Sequence, residues 1–180
     1  MVVYLIGFMG TGKSVVGLKL SRKLNIPLLD MDDEIVRRDG RSIPEIFAQD
    51  GEDAFRDMEE ALLREIADSD KDLIVSCGGG IVLREENRRI LKENPYTVQL
   101  LAMPQTIAKR AGGDPNRPLL SDTVSVDEIR SRMEKRIPLY RECASLNILT
   151  DSYTSNETAK RIIDHLNLEE SRRKETGSKA

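Results

Sequence analysis

Short apolar segments alternate with amphipathic ones along the chain, and this alternation predicts a β–α order of elements. Val2 to Ile6 is entirely apolar and rich in β-branched residues, which is typical of a strand buried on both faces. The next segment, 13–24, spaces its apolar residues as one face of a helix. Further strands are predicted at 27–30, 73–76, 96–101 and 146–149. Further helices are predicted at 31–38, 43–48, 52–67, 85–92, 105–111, from about 126, and at 157–166.

Strands that alternate with helices predict an α/β fold with five parallel strands and helices on both faces of the sheet. Ligands in such folds bind beyond the carboxyl ends of the strands. We expect one domain over residues 1–166, with a Gly- and Pro-rich segment without periodicity at about 112–124. Pro138 is expected to kink or restart the helix that contains it. Residues 167–180 are dense in charge and poor in apolar side chains, so we expect a frayed or disordered tail.

Composition narrows the class of protein. Charged residues make up 33% of the 180 residues and hydrophobic residues 39%, a balance typical of a soluble globular domain. The net charge of -3 argues against a general nucleic-acid binder. The two cysteines have no metal-ligand spacing, and no apolar run is long enough for a membrane span. The chain begins on an apolar run without a basic segment before it, so no targeting peptide is expected. We therefore expect a cytoplasmic protein, active as a monomer.

The segment GFMGTGKS, residues 7–14, matches the phosphate-binding loop G-x-x-x-x-G-K-[ST] between a strand and a helix. Its glycines allow successive N–H groups to point at phosphate oxygens, and the helix start adds unpaired donors. Lys13 is expected to reach the β- and γ-phosphates of ATP, and the Ser14 hydroxyl to bind Mg²⁺. The predicted nucleotide contacts in this segment are Gly10, Thr11, Gly12, Lys13, Ser14 and Val15.

A phosphate-binding loop alone is shared by kinases, GTPases, motor ATPases and switch proteins. The guanine-binding Asn-Lys-x-Asp sequence does not occur in this chain. Three features instead suggest a pocket for a small acceptor molecule. Asp30 and Asp32 follow the second predicted strand, Arg56 lies near the start of the longest helix, and Gly78 to Gly80 end the central strand. Glycines at that place allow a compact ligand to approach the backbone.

Several further motifs occur in a fixed order, and together they resemble the shikimate kinase family over residues 2–166. They are Leu29-Asp-Met-Asp32, Gly40-Arg-Ser-Ile-Pro-Glu-Ile-Phe47, Gly51-Glu-x-x-Phe-Arg56-x-x-Glu59, Gly78-Gly-Gly80, Arg110-Ala-Gly-Gly, Asn116-Arg-Pro-Leu-Leu120 and Lys135-Arg136-x-Pro-Leu-Tyr140. The combination is far more specific than the phosphate-binding loop. The resemblance implies transfer of a phosphoryl group from ATP to the 3-hydroxyl of shikimate, on the route to chorismate and the aromatic amino acids.

The resemblance also implies roles for individual residues. Asp32 would hold the acceptor hydroxyl as a general base or orienting group, and Asp30 would bind Mg²⁺ through water. Arg117, on a lid at about 112–124, would close over the transferring phosphate, and Arg110 would lie against the adenine. The substrate carboxylate would be bound by two arginines and one turn of backbone: Arg56, Arg136, Gly78, Gly79 and Gly80.

Other interpretations of the same residues stay open at this point. Asp32 could cap the helix that follows it, and Arg56, Arg110, Arg117 or Arg136 could be ordinary surface charges. The third strand lacks the acidic residue that usually assists Mg²⁺ binding, so Asp30 would have to take that role. A related kinase for gluconate or a nucleoside monophosphate is the alternative enzyme. A non-catalytic regulator on the same fold is the alternative from another class.

Overall fold

The computed structural model describes residues 1–111 and 125–177, and within them it confirms the predicted α/β fold. Five parallel strands form one sheet in the order β2-β3-β1-β4-β5. The strands are β1 (Val2–Ile6), β2 (Leu28–Asp30), β3 (Leu73–Ser76), β4 (Thr97–Leu101) and β5 (Leu146–Leu149). The helices are α1 (Lys13–Leu24), α2 (Met31–Asp39), α3 (Ile43–Ala67), α4 (Glu85–Glu93), α5 (Pro104–Ala111), α6 (Val126–Cys143) and α7 (Ser155–Gly177).

The apolar core lies in two layers, one on each face of the sheet. β1 is central and every one of its residues is buried, as its all-apolar sequence predicts. Tyr4 and Ile6 belong to the layer under α3 and α6, whereas Val3 and Leu5 belong to the layer under α1 and α7. This alternation follows from the period of two along a strand, so each neighbouring residue contributes to the opposite layer.

Two predicted helices join into one element, α3, across a local break. Gly51 has φ 85° and ψ 168°, which lies outside the helical region. The left-handed φ favours glycine, because a side chain would be strained there. Ser42 caps the start of this helix through a box with Glu45. The break gives Glu52 and Arg56 a position at the start of a new helical segment, close to the ends of the strands.

The structure differs from prediction in part at Pro138 and in the length of the last helix. α6 includes Pro138, so the helix does not restart there, and the kink stays a prediction. α7 extends to Gly177, whereas the sequence predicts a last helix that ends at Leu166, and residues 178–180 lie outside the described range. Two contacts accompany the extension. Arg172 bonds Glu169, three residues before it on the helix, and Arg173 lies 5.9 Å from the centre of the Tyr96 ring.

We expect deletion of residues 169–180 to lower the melting temperature by no more than about 4 °C and to leave catalysis unchanged. Leu166 is the last buried residue of α7 within residues 155–174, whose burial is described, and the Arg173–Tyr96 contact contributes only about 0.5–1 kcal/mol. Thermal melting of the purified variants measures the change.

A deletion of residues 165–180 is the matched control. It also removes the side chain of Leu166, so it should cost about 2–5 kcal/mol and lower the melting temperature much further. Equal losses for the two deletions would show that residues 165–168, including Leu166, add nothing to the stability that residues 169–180 provide.

Candidate active site

The phosphate-binding loop connects β1 to α1 and is built on three glycines with positive φ. Gly7, Gly10 and Gly12 have φ values of 142°, 76° and 96°. A side chain at Gly7 would also come within 2.2 Å of the Leu100 carbonyl oxygen, so the loop packs directly on the end of β4. Gly12 stands at the N-cap of α1 and supplies no capping side chain, which leaves the first turn to offer its backbone N–H groups.

Lys13 lies across this loop. Its ammonium group donates hydrogen bonds to the carbonyl oxygens of Gly7 at 2.9 Å and Phe8 at 3.0 Å. The buried Thr11 hydroxyl donates to the same Phe8 carbonyl at 2.8 Å, which fixes the tip of the loop. Val15, in the first turn of α1, is 57% exposed at the same end of the sheet.

Three oxygen-bearing side chains meet beside the loop. The Ser14 hydroxyl donates to the Asp30 carboxylate at 3.0 Å and lies 3.3 Å from the hydroxyl oxygen of Ser76. Ser76 ends β3, where sequence reasoning found no acidic residue and assigned no role. Asp30 also accepts the Asp32 backbone N–H at 3.2 Å and so caps α2. The suggestion that Asp32 is the cap is therefore wrong, and the Asp32 carboxylate is left for other contacts.

The donors at this point fit a hard cation that keeps most of its water and phosphate ligands. Among the described residues, no group of three or more His, Cys, Asp or Glu side chains could hold a metal ion. Mg²⁺ typically uses one or two protein oxygens together with water and substrate phosphates. Ser14 and Asp30 provide that donor set next to the phosphate-binding loop.

Asp32 lies in a partly buried position among several charges. Burial raises the pKa of its carboxyl group, and the nearby Asp30 carboxylate raises it further. The positive charges of Lys13 and Arg56 act in the opposite direction but do not cancel the effect. Asp32 is thus a more basic carboxylate than an exposed aspartate, which suits a group that accepts a proton or a hydrogen bond.

Arg56 is buried between two acidic residues of its own helix. Its Nη1 donates to Glu59 at 2.8 Å, while Nε and Nη2 donate to Glu52 at 3.2 and 2.9 Å. Gly80 lies directly against the guanidinium, since a Cβ there would come within 2.2–2.4 Å of its atoms. Glu59 occurs in one of the motifs, but the sequence assigned it no role. Its position three residues after Arg56 on the same helix is the signal that would have predicted the contact.

Arg136 approaches the same glycine turn from α6. Its Nη1 donates to the Gly79 carbonyl at 3.2 Å, and its guanidinium lies 5.8 Å from the centre of the Phe8 ring. The Tyr140 hydroxyl donates to the same carbonyl oxygen, a contact that sequence reasoning did not identify. Tyr140 is one helical turn after Arg136, so both side chains face the turn.

Arg110 connects the phosphate-binding loop to the end of β5. Its Nη1 donates to the Gly10 carbonyl at 3.1 Å and contacts the Thr150 hydroxyl at 3.4 Å. Thr150 in turn donates to the Leu101 carbonyl at the end of β4. Arg117 and the predicted lid at 112–124 lie outside the described residues.

The turn after β3 is the point at which the separate parts of the site meet. A Cβ at Gly78 would come within 2.6 Å of Glu59 and 2.7 Å of Asp32, and one at Gly79 would lie 3.4 Å from the Met9 backbone N. The arginine side chains and Asp32 therefore surround one short stretch of backbone beside the phosphate-binding loop. The arrangement can bind an anionic acceptor close to a nucleotide.

Comparisons with known proteins agree with this geometry. The family model described as "Shikimate kinase" matches residues 9–167. The chain is 40% identical over 166 residues to the shikimate kinase of Enterococcus faecalis, covering 91% of this chain and 97% of that protein. It is 40% identical over 164 residues to the shikimate kinase of Dehalococcoides mccartyi, covering 91% and 92%. A solved structure of shikimate kinase from Acinetobacter baumannii in complex with shikimate has a TM-score of 0.86 and 35% identity, with 93% of both chains covered.

The electrostatics of Asp32 predict that Asp32→Asn stabilises the fold at neutral pH. The folded-state pKa of Asp32 is raised, so its ionised form destabilises the native state at pH 7. The neutral amide removes that penalty, and the melting temperature at pH 7 should rise. The gain should shrink as the pH falls towards about 3.9, the ordinary pKa of aspartate, because Asp32 is then protonated in both states.

Asp39→Asn is the matched control on the same helix. The hydrogen-bonded Arg41 side chain lowers the pKa of Asp39, so its ionised form stabilises the fold at neutral pH and loses that contribution in acid. This variant should melt at a lower temperature than the wild type at pH 7. A fall in melting temperature for Asp32→Asn at pH 7 would contradict the assigned electrostatics.

Proposed function

The chain belongs to the shikimate kinase family and has shikimate kinase activity, and on that premise we propose how its residues bind MgATP and shikimate. The observation that carries the proposal is the convergence of Asp32, Arg56 and Arg136 on the turn Gly78 to Gly80. The phosphate-binding loop lies against the same turn. A site in this place would bring the acceptor hydroxyl and the terminal phosphate of ATP together at the carboxyl edge of the sheet.

Gly10 to Val15 and Arg110 form the proposed nucleotide side. The N–H groups at the start of α1 bind phosphate oxygens, and Lys13 exchanges its loop carbonyls for the β- and γ-phosphates. Ser14, and Asp30 through water, would hold Mg²⁺, whose chemical role would be to neutralise phosphate charge. Arg110, already bonded to Gly10 and Thr150, lies on the side where the base of the nucleotide would bind.

Asp32, Arg56 and Arg136 form the proposed acceptor side. The two guanidinium groups bind the carboxylate of shikimate, because planar forks of N–H donors match a carboxylate well. The Asp32 carboxylate then accepts the hydrogen bond of the 3-hydroxyl and can take its proton as the new P–O bond forms and the bond from the γ-phosphorus to the bridging oxygen of ADP breaks. The protein forms no covalent bond to the phosphoryl group in this kind of transfer. Positioning of the reactants and neutralisation of charge therefore account for most of the increase in rate.

The remaining parts of the proposal concern the lid and the state of the protein. We propose that residues 112–124 form a lid whose Arg117 closes over the transferring phosphate. We also propose that the enzyme acts as a cytoplasmic monomer. Cys77 and Cys143, the two cysteines of the chain, are buried and free, which suits a reducing compartment. No helix within the described residues is long and apolar enough to cross a membrane.

An ADP-release assay with ATP, Mg²⁺ and a panel of acceptors tests the proposed function. We expect turnover with shikimate, little turnover with gluconate, and loss of activity when Mg²⁺ is removed by a chelator. Lys13→Ala should abolish transfer with little change in melting temperature, because its proposed partners are the phosphates of the nucleotide. Near-normal turnover of this variant would contradict the proposal that the loop binds the phosphates of the nucleotide.

The proposed carboxylate site predicts separate effects on the two substrates. Arg56→Ala or Arg136→Ala should raise the KM for shikimate about 10- to 150-fold, because each loses a charge-assisted bond of about 1.5–3 kcal/mol. The KM for ATP should change little. Arg141→Ala, an exposed arginine of the same helix as Arg136, is the matched control and should leave both constants unchanged.

Esterified shikimate gives an independent test of the same contact. The methyl ester lacks the negative charge, so the wild type should use it poorly, and Arg56→Ala should discriminate less between ester and acid. Equal wild-type activity on both compounds would refute the carboxylate site.

A further inference from the structure

The two acidic partners of Arg56 differ in burial, and this difference carries a further inference. Glu59 is fully buried and binds Nη1, whereas the Glu52 side chain is 55% exposed and binds Nε and Nη2 through one oxygen. An exposed ion pair contributes little, since water competes for both charges, whereas breaking a buried pair is costly. Glu59 is therefore the lasting partner of Arg56, and Glu52 is the exchangeable one.

The orientation of Arg56 does not depend on Glu52. Glu59 fixes Nη1, the backbone of Gly80 lies against the guanidinium, and the Phe55 ring lies 5.2 Å from its central carbon. Removal of the Glu52 side chain would thus leave the Arg56 guanidinium in place, with its Nε and Nη2 donors available to another acceptor.

We propose that Glu52 competes with the substrate for Arg56: its carboxylate occupies the donors that bind the carboxylate of shikimate, and it moves into solvent when shikimate binds. The inference rests on the proposed function of Arg56. It makes Glu52 a specificity-determining residue. A neutral analogue would have to break the Glu52–Arg56 pair without offering a replacement charge, whereas an acid replaces one carboxylate with another.

The surroundings of Glu52 allow this exchange. Gly51 interrupts the helix immediately before it, so Glu52 stands in the first turn of the following segment. A cavity of about 500 Å³ lies on this side of Arg56, and its lining includes Leu83 and Arg84 in addition to residues 50–53. The displaced side chain therefore has open space and water beside it, and its release requires no unfolding of α3.

The same exchange would act on the product. Shikimate 3-phosphate keeps the carboxylate and adds a phosphate, so an unopposed pair of arginines would retain it strongly. A carboxylate that pairs again with Arg56 helps the product to leave. Loss of Glu52 should therefore tighten binding of both substrate and product, without any new contact to either.

Calorimetric titration with shikimate tests the inference, using the wild type, Glu52→Gln and Glu52→Ala. Both variants should bind shikimate about 2- to 5-fold more tightly, the range that an exposed ion pair provides. Glu65→Gln is the matched control: Glu65 lies on the same helix, is similarly exposed, and pairs with Arg38. Its affinity for shikimate should equal that of the wild type.

Arg56→Ala, alone and combined with Glu52→Gln, separates this inference from the function on which it rests. Glu52→Gln should have no effect on shikimate affinity when Arg56 is absent, because competition requires the shared partner. Unchanged or weaker binding by Glu52→Gln, together with weaker binding by Arg56→Ala, would overturn the competition and leave the carboxylate site intact. Unchanged binding by Arg56→Ala would overturn the carboxylate site itself.

Discussion

The absence of side chains in the turn after β3 is the constraint on which the rest of the site depends. A Cβ at Gly78 would displace Asp32 and Glu59, and one at Gly80 would occupy the place of the Arg56 guanidinium. Gly79 lies between the phosphate-binding loop and two donors from α6. The proposed nucleotide and acceptor sides can be adjacent because Gly78 and Gly80 occupy no volume beyond the backbone.

The close packing around the glycine turn brings several charged side chains together, which lowers the stability of the folded protein. Asp30, Asp32 and Glu59 lie near one another, and burial raises the pKa of both Asp32 and Glu59 despite the positive charges of Lys13 and Arg56. Such an arrangement does not favour the isolated native state, but it supplies a carboxylate of raised pKa at the place where we propose that the acceptor hydroxyl binds. The parallel sheet with its two apolar layers provides the stability that offsets this cost.

The sequence predicts most of the fold and the residues of the site, but not how those residues pair. Bounds of β1, β3 and β5 agree with prediction, because strands buried on one or both faces leave a clear apolar pattern. The end of α7 was missed, since its last turns depend on pairs between charged side chains rather than on an apolar face. Ser76 contacts Ser14 across 62 residues of chain, a contact that has no local signature in the sequence. Asp30 rather than Asp32 caps α2, and here the local sequence offers an aspartate at both positions.

The net charge does not reveal how basic side chains at the candidate site differ from those on the protein surface. The difference lies in the groups to which they donate hydrogen bonds. Surface arginines such as Arg38 and Arg89 bind carboxylates, so each pair is nearly neutral. Arg110 and Arg136 instead donate to backbone carbonyls, which are dipoles, so these bonds leave the positive charge of each donor uncancelled. The carboxyl edge of the sheet can thus attract anions although the chain as a whole carries a net charge of -3.

Arg56 departs from this division, because its described partners are carboxylates although it faces the glycine turn. A buried guanidinium needs a charged partner when no ligand is bound, since the cost of burying it unpaired is several kcal/mol. One permanent and one exposed carboxylate meet that need and still allow an anionic ligand to replace the outer one. The pairing of Arg56 therefore follows from its burial, and the burial follows from the glycine turn that brings it to the site.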